Sequence, residues 1–229
     1  EQAGFNCIDL MFNQLGFLSH DYIQTIKQQV YHSDIIIFSH PWVYPLVKDI
    51  INEEQQMIVY DSQNHEGLLR YELYHKIQQP LAQQVLTNVA AIEYDLCRKS
   101  HLILSCSDED IQHFIKLYQI APKKLKLVPN GVFFKTINQH QKAPSNKPKK
   151  AIFMGSNYAP NVETVQFILT EIAPQLAHIE FIIAGGVCNA FKKNRQKNVT
   201  LLGYFDEQDK SRILSSADIA LNPMFSGSG

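Results

Sequence analysis

The sequence predicts an α/β protein of two open parallel sheets in succession, and three observations carry that prediction. A complete strand, loop, helix and strand unit occupies residues 151–186. Ahead of it, short apolar runs alternate with helical stretches from Asp34 to Pro129. Between the two lies INQHQKAPSNKPKK, which loses apolar periodicity and fills with Gln, Lys, Pro and Asn, the composition of a linker.

The later unit is the clearest. Ala151 to Met154 is a solid apolar run closed by Gly155, as expected of a parallel strand covered on both faces. Pro160 and Asn161 then open a helix, with Asn161 as its expected cap, and Val162, Val165, Ile168, Leu169, Ile172 and Leu176 recur at three- and four-residue spacing. Pro174 marks its end. Ile179 to Ala184 is a second apolar run, and Gly185-Gly186 stands where that strand releases the chain toward a ligand crevice. This is half of a Rossmann-like domain. Val199 to Leu202 with Gly203, an Asp206-capped helix through Ile213, Leu214 and Ala217, and a strand from Ile219 to Asn222 extend it.

In the earlier part, Phe5 to Leu10 reads as a strand and Tyr22 to Tyr31 as a short helix with Ile23, Ile26 and Val30 on one face. Asp34 to Ser39 is the first clear strand. His40-Pro41 breaks it, Trp42 to Ile51 reads as a helix, and Met57 to Tyr60 as the next strand. After the polar loop Asp61 to Glu66 comes a helical stretch from Gly67 to about Arg98, split near Pro80. Leu102 to Cys106 is a strand; Ser107 with Asp110 forms a capping pair for a helix bearing Ile111, Ile115 and Tyr118; Lys126 to Pro129 closes the series. The domain organisation that follows is 1–137, a linker at 138–150, and 151–229, with both domains incomplete.

With 229 residues, 45% hydrophobic and 19% charged, disorder is excluded as the default. A formal net charge of -1 gives no global attraction to nucleic acid or acidic lipid, so an anionic ligand must be held by local groups. Cys7, Cys97, Cys106 and Cys188 lack C-x-x-C spacing and sit in apolar patterns, which predicts free core thiols and suits a cytoplasm. No run reaches the ~18 apolar residues of a membrane span, and no basic-then-apolar signal segment opens the chain.

The loops Gly155-Ser156-Asn157, Gly185-Gly186, Gly203-Tyr204-Phe205 and Ser226-Gly227-Ser228-Gly229 all fall at carboxyl ends of strands in one sheet. Glycines there let N–H groups approach an anion, helix starts favour phosphate, and Tyr204 or Phe205 offers a stacking face for a base. Together they predict a nucleotide or nucleotide-sugar site. The Asp61 to Glu66 loop offers carboxylates, amides and an imidazole at the first sheet's crevice: His65 as base or electrophile is one reading, a capping network for the following helix the other. Asp108-Glu109-Asp110 matches a metal-binding D-x-D, yet the capping pair already explains it. Lys192, Lys193, Arg195 and Lys197 read as a solvated face, with contact to anionic lipid or phosphate as the alternative.

The segments YDSQNHE (60–66), SCSDED (105–110), LVPNGV (127–132), FMGSNYAPNVETVQF (153–167), LLGYF (201–205) and ADIALNPMFSGSG (217–229) occur in an order that resembles the group 1, or family 4, retaining glycosyltransferases of GT-B architecture. The resemblance runs from Asp34 onward and implies two Rossmann-like domains, the first for the acceptor, the second for a nucleotide diphosphate sugar. It places Gly155, Ser156 and Asn157 against the diphosphate and donor sugar, Tyr204 and Phe205 near the base, and Ser226, Gly227 and Ser228 at a phosphate-side loop; Gly185 and Gly203 join the donor site from the reading of the strand-end loops. Two departures stand out. Members often carry His where this chain has Gln63, leaving Gln63 and His65 as the catalytic candidates, and no basic residue follows Gly155 before Lys192. The family's first Gly-rich loop and its paired-Glu motif are absent from the sequence, so the resemblance implies the middle of such an enzyme.

The resulting expectation is a glycosyltransferase moving a sugar from a nucleotide diphosphate sugar to a saccharide, lipid or protein acceptor. It needs no cofactor, binds no nucleic acid, and works in the cytoplasm in polysaccharide or glycolipid assembly, with peripheral membrane contact through the basic cluster. The alternatives are a non-catalytic partner subunit that lost the histidine, and a nucleotide-sugar epimerase.

Overall fold

The structure is a computed structural model that describes residues 8–131, 148–194 and 196–225. Cys7, Arg195, residues 138–147 of the expected linker, and Ser226, Gly227 and Ser228 lie outside the described residues. The chain divides into two compact units after Gly131, each built on a four-stranded parallel sheet.

In the first unit, α1 (Ile8–Leu15) and α2 (His20–Tyr31) precede β1 (Ile35–Phe38), α3 (Tyr44–Val47), β2 (Met57–Ser62), α4 (Glu66–Tyr74), α5 (Pro80–Lys99), β3 (Leu102–Ser105), α6 (Asp108–Tyr118) and β4 (Leu125–Leu127). The strands lie in the order β1-β2-β3-β4, with Ile36 opposite Ile58 and Tyr60 opposite Ile103. The strand expected over Phe5 to Leu10 is corrected: from Ile8 the chain is helical, because the apolar residues of IDLMFNQL extend past the run that suggested a strand. The helix expected over Trp42 to Ile51 is shorter, a single α turn at Tyr44–Val47 continued as a 3-10 turn through Ile50.

Phe38, Ile58, Tyr60, Ile103 and Leu125 of the strands bury against Leu96 and Cys97 of α5 and Phe114 of α6. Each such side chain contributes about 1.5–3 kcal/mol by leaving water. A second cluster, Trp42 with Tyr74, Ala82, Val85 and Val89, fills the space between α4 and α5. The buried stripe of α5 is therefore Ala82, Val85, Val89, Glu93, Leu96 and Cys97, a helical period interrupted by one carboxylate.

The second unit runs β5 (Lys149–Met154), α7 (Ala159–Phe167), β6 (Ile179–Ala184), β7 (Val199–Gly203), α8 (Glu207–Ser216) and β8 (Ile219–Ala220), in the sheet order β7-β6-β5-β8. Lys149 and Lys150, placed in the linker by composition, already pair with Ile179 and Glu180. α7 loosens into a π turn over Ile168–Ile172, closed by the Ala173 N–H on the Ile168 carbonyl at 2.8 Å, which keeps Ile168 and Leu169 both buried. Phe153, Phe181, Ile183 and Val187 complete that core.

Candidate functional site

The carboxyl ends of β5, β6 and β7 are tied together by main chain. Gly155 N–H donates to the Ala184 carbonyl at 3.0 Å, the Gly155 carbonyl accepts from Val187 N–H at 3.2 Å, and Gly185 N–H donates to the Gly203 carbonyl at 2.7 Å. Gly185 has φ +95, and a Cβ there would collide with the Gly155 carbonyl, so this closure requires glycine. A Cβ on Gly186 would stand 2.5 Å from the Tyr204 hydroxyl and 3.2 Å from the Asn157 nitrogen. Gly155, Asn157, Gly185, Gly186, Gly203 and Tyr204 are thus neighbours on one sheet edge. Tyr204 is 79% exposed beside buried Gly186, while Phe205 is half-buried.

Asn161 does not cap α7. The helix starts two residues earlier, with Tyr158 at the cap position and no side-chain capping bond. The Asn161 amide turns back and donates to the Ser156 carbonyl at 3.1 Å, alongside the Tyr158 N–H at 2.8 Å, and so shapes the loop expected to hold a diphosphate. The other long helices that follow a strand end differ. Leu68 N–H donates to His65 Nδ1 (3.1 Å) at α4, Asp110 N–H to Ser107 Oγ (3.1 Å) at α6, and Asp209 N–H to Asp206 Oδ1 (2.7 Å) at α8. α7 alone among these four begins without a side-chain cap, and its partial positive charge lies at the glycine edge.

At the first sheet's carboxyl edge, His65 is only 1% exposed. Its ring stacks on Phe114 (centroids 4.6 Å apart, 27°) and tilts against Tyr118 at 4.5 Å. Because Nδ1 accepts the cap hydrogen bond, the ring is the Nε2–H tautomer, and burial holds it down at about 4, neutral at ordinary pH. Of the two readings of this loop, the geometry matches the capping network, and a ring so enclosed is not presented to a substrate. Gln63 remains at the strand end, its Oε1 at 3.9 Å from Cys106 Sγ, which also lies 3.8 Å from Asn130 Oδ1 and 3.6 Å from the Ser62 carbonyl. Glu66 turns its carboxylate the other way, 3.7 Å from His40 Nδ1 and 3.5 Å from Arg70, whose guanidinium stands 5.7 Å over Trp42.

One residue of this region escaped the sequence reading. Glu93 is 0% exposed, and its carboxylate accepts hydrogen bonds from Tyr60 Oη (2.9 Å), Glu66 N–H (2.8 Å), Gly67 N–H (2.8 Å) and Tyr118 Oη (2.9 Å). Burial pushes it up to about 7 against the pull of those four donors. The signal was available: Glu93 falls four residues after Val89 and three before Leu96, on the apolar stripe of α5.

Asp110 is buried and doubly engaged with Ser107, accepting from its hydroxyl at 3.0 Å while its own N–H donates back, which is the capping arrangement expected. Cys97, Cys106 and Cys188 are free thiols. Lys192, Lys193 and Lys197 are exposed. Among the described residues no helix is long and apolar enough to cross a membrane.

Residues 148–229 match the family described as glycosyl transferases group 1. No curated protein matches the chain. Among solved structures, sucrose-phosphate synthase from Thermosynechococcus elongatus superposes with a TM-score of 0.65 at 14% identity, covering 94% of this chain and 57% of that one. S. aureus TarM in complex with fondaparinux, alpha-GlcNAc-glycerol and UDP gives 0.55 at 12% identity (86% and 38%), and Anabaena HepE in complex with UDP and glucose gives 0.52 at 14% (90% and 56%). The chain spans 38% to 57% of the length of these structures. At such identities the likeness is one of fold, the two parallel-sheet units of GT-B glycosyltransferases.

Proposed function

We propose that the protein is a glycosyltransferase that takes its sugar from a nucleotide diphosphate sugar, with the donor on the second unit and the acceptor on the first. The observation that carries this reading is the glycine edge of β5, β6 and β7, joined by the uncapped start of α7 and flanked by exposed Tyr204. The start of α7 suits the phosphates, where the sequence supplies no basic residue, and the Tyr204 ring suits a base. The match of residues 148–229 to the group 1 family supports it, since that segment contains the whole edge. Ser156 and Asn157 extend the diphosphate contact in this reading, and Ser226, Gly227 and Ser228 the phosphate-side loop.

The same reading makes the reaction retaining and independent of a metal held by Asp108 and Asp110, the latter engaged in the α6 cap. No cofactor is invoked. The acceptor is a saccharide, lipid or protein, and exposed Lys192, Lys193 and Lys197 provide peripheral contact with anionic lipid at the inner membrane face. In the first unit Gln63, at the end of β2, is the candidate for contact with an acceptor hydroxyl. Buried His65 acts through the shape of the loop.

A second reading, a non-catalytic partner of an active transferase, is favoured by Gln63 at a position where family members often carry His. One assay separates the two: incubation with UDP-, GDP- and ADP-hexoses and a panel of saccharide and lipid acceptors, with the anomeric configuration of any product read by NMR. Product with the donor's anomeric configuration supports the retaining transferase. Nucleotide binding without turnover for any donor supports the partner, and no binding contradicts both.

A further inference from the structure

Glu93 projects from α5 beneath the carboxyl end of β2, and each of its two oxygens accepts two hydrogen bonds: Oε1 from Tyr60 Oη and Glu66 N–H, Oε2 from Gly67 N–H and Tyr118 Oη. The donors come from β2, the first turn of α4 and α6, so one carboxylate joins three elements. Gly67 belongs to the arrangement. A Cβ on it would collide with the Tyr118 hydroxyl, so its lack of a side chain lets that phenol reach Glu93.

We propose that Glu93 is an internal latch that fixes residues 63–67 from beneath while its carboxyl is protonated, and whose ionisation, by placing an uncompensated charge away from water, loosens them. The chemistry is a matter of lone pairs. A carboxylate accepts at about four positions, and here all four are occupied. A proton placed on either oxygen is taken up as a bond to the phenol on that oxygen, and both N–H bonds survive. The phenols can rotate to accept instead of donate, whereas the N–H groups of Glu66 and Gly67 have no second role. Ionisation instead leaves a negative charge away from water, a cost relieved when the first turn of α4 loosens, and with it the loop that carries Gln63 and the His65 cap.

The groups facing this carboxylate leave it without a compensating cation. On β2 there is Tyr60; on α6, Tyr118, with Tyr94 of α5 edge-on to it; on α5 itself, Cys97, whose thiol burial pushes up. From the α4 start, His65 Nδ1 stands 3.5 Å from Oε2 but is occupied by the Leu68 N–H, and behind it lie His113 and Asp110 of α6. Glu66 directs its own carboxylate toward His40 and Arg70. Burial raises Glu93 to about 7, which puts the latch in the range where small changes of pH move it. The inference concerns the first unit alone and does not depend on sugar transfer.

The test is an NMR pH titration of the whole ¹⁵N-labelled chain from 5.5 to 8.5, following the Glu66 and Gly67 amides and their hydrogen exchange. Both resonances should move with one shared midpoint near 7, and their exchange, corrected for intrinsic rate, should be at least about tenfold faster above it. Glu93→Gln should abolish the shared transition. If that variant does not fold, Tyr118→Phe keeps the carboxylate but removes one donor, and the midpoint should move upward. Amides that do not move across this range, a transition that survives in E93Q, or an unchanged midpoint in Y118F would each overturn the proposal.

Discussion

The strand-end loops of the two units solve opposite problems with similar topology. In the first unit the polar groups are turned inward: His65 and Ser107 cap helices, Asp110 returns to Ser107, and Glu93 gathers four donors. In the second, Gly155, Gly185, Gly186 and Gly203 line the edge, α7 begins without a side-chain cap although Asp206 caps α8, and Tyr204 stands in solvent. The difference teaches where unsatisfied hydrogen-bonding capacity is stored. Buried networks must satisfy themselves or cost stability, while a helix start without a side-chain cap is one a ligand can satisfy.

Emptying the inward network has the largest expected effect. Glu93→Ala strands two N–H groups and two phenols, and should cost the first unit about 3–5 kcal/mol, with hydrogen exchange in the second unit unchanged. An equal loss in both units would break the comparison.

The pH dependence is the next largest, and its sign separates two buried groups. Glu93, raised to about 7, contributes stability that is full below its unfolded value and lost as pH rises through 7. His65, lowered to about 4, contributes stability present above its unfolded value near 6.5 and lost as pH falls toward 4. Between about 4.5 and 6.5 the two slopes oppose, so the wild-type first unit should vary little there. Glu93→Gln should expose the His65 slope, a loss of roughly 1.4 kcal/mol for each pH unit of acidification. Urea unfolding at several pH values, read by a first-unit probe, checks both.

In the second unit, Gly185→Ala should cost about 1–3 kcal/mol, because φ +95 and the Gly155 carbonyl both exclude a methyl group. Thermal unfolding measures it. The smallest effect on stability belongs to Tyr204→Ala, within about 0.5 kcal/mol at so exposed a position, yet it should weaken nucleotide binding about tenfold. A destabilised but fully binding Y204A variant would reverse the roles assigned to it.

Much of this was legible from apolar periodicity. Among the described residues, seven of the eight strands lie where runs such as Ile179 to Ala184 or Leu102 to Cys106 predict them, and the eighth, β8, keeps only Ile219 and Ala220 of its expected span. Phe5 to Leu10 misled because a short apolar run does not distinguish a strand from one face of a helix. Asn161 was read as a cap from its residue type and place, whereas its amide serves the loop before the helix, a choice made by tertiary geometry. Glu93 was hidden by its company, one acid in a helix rich in Gln and Glu, although its phase on the α5 stripe marked it. The glycine edge was legible because closing three parallel strands demands glycine where Gly185 stands.

The most direct test of the central claim is titration of UDP into the ¹⁵N-labelled protein, with and without EDTA, alongside an Asp110→Asn variant. The account predicts chemical-shift changes at Gly155 to Asn157, Gly185, Gly186, Gly203 and Tyr204, and an affinity that neither chelation nor D110N alters by more than about twofold. Binding abolished by EDTA, or changes confined to residues 61–66 and 108–110, would contradict it.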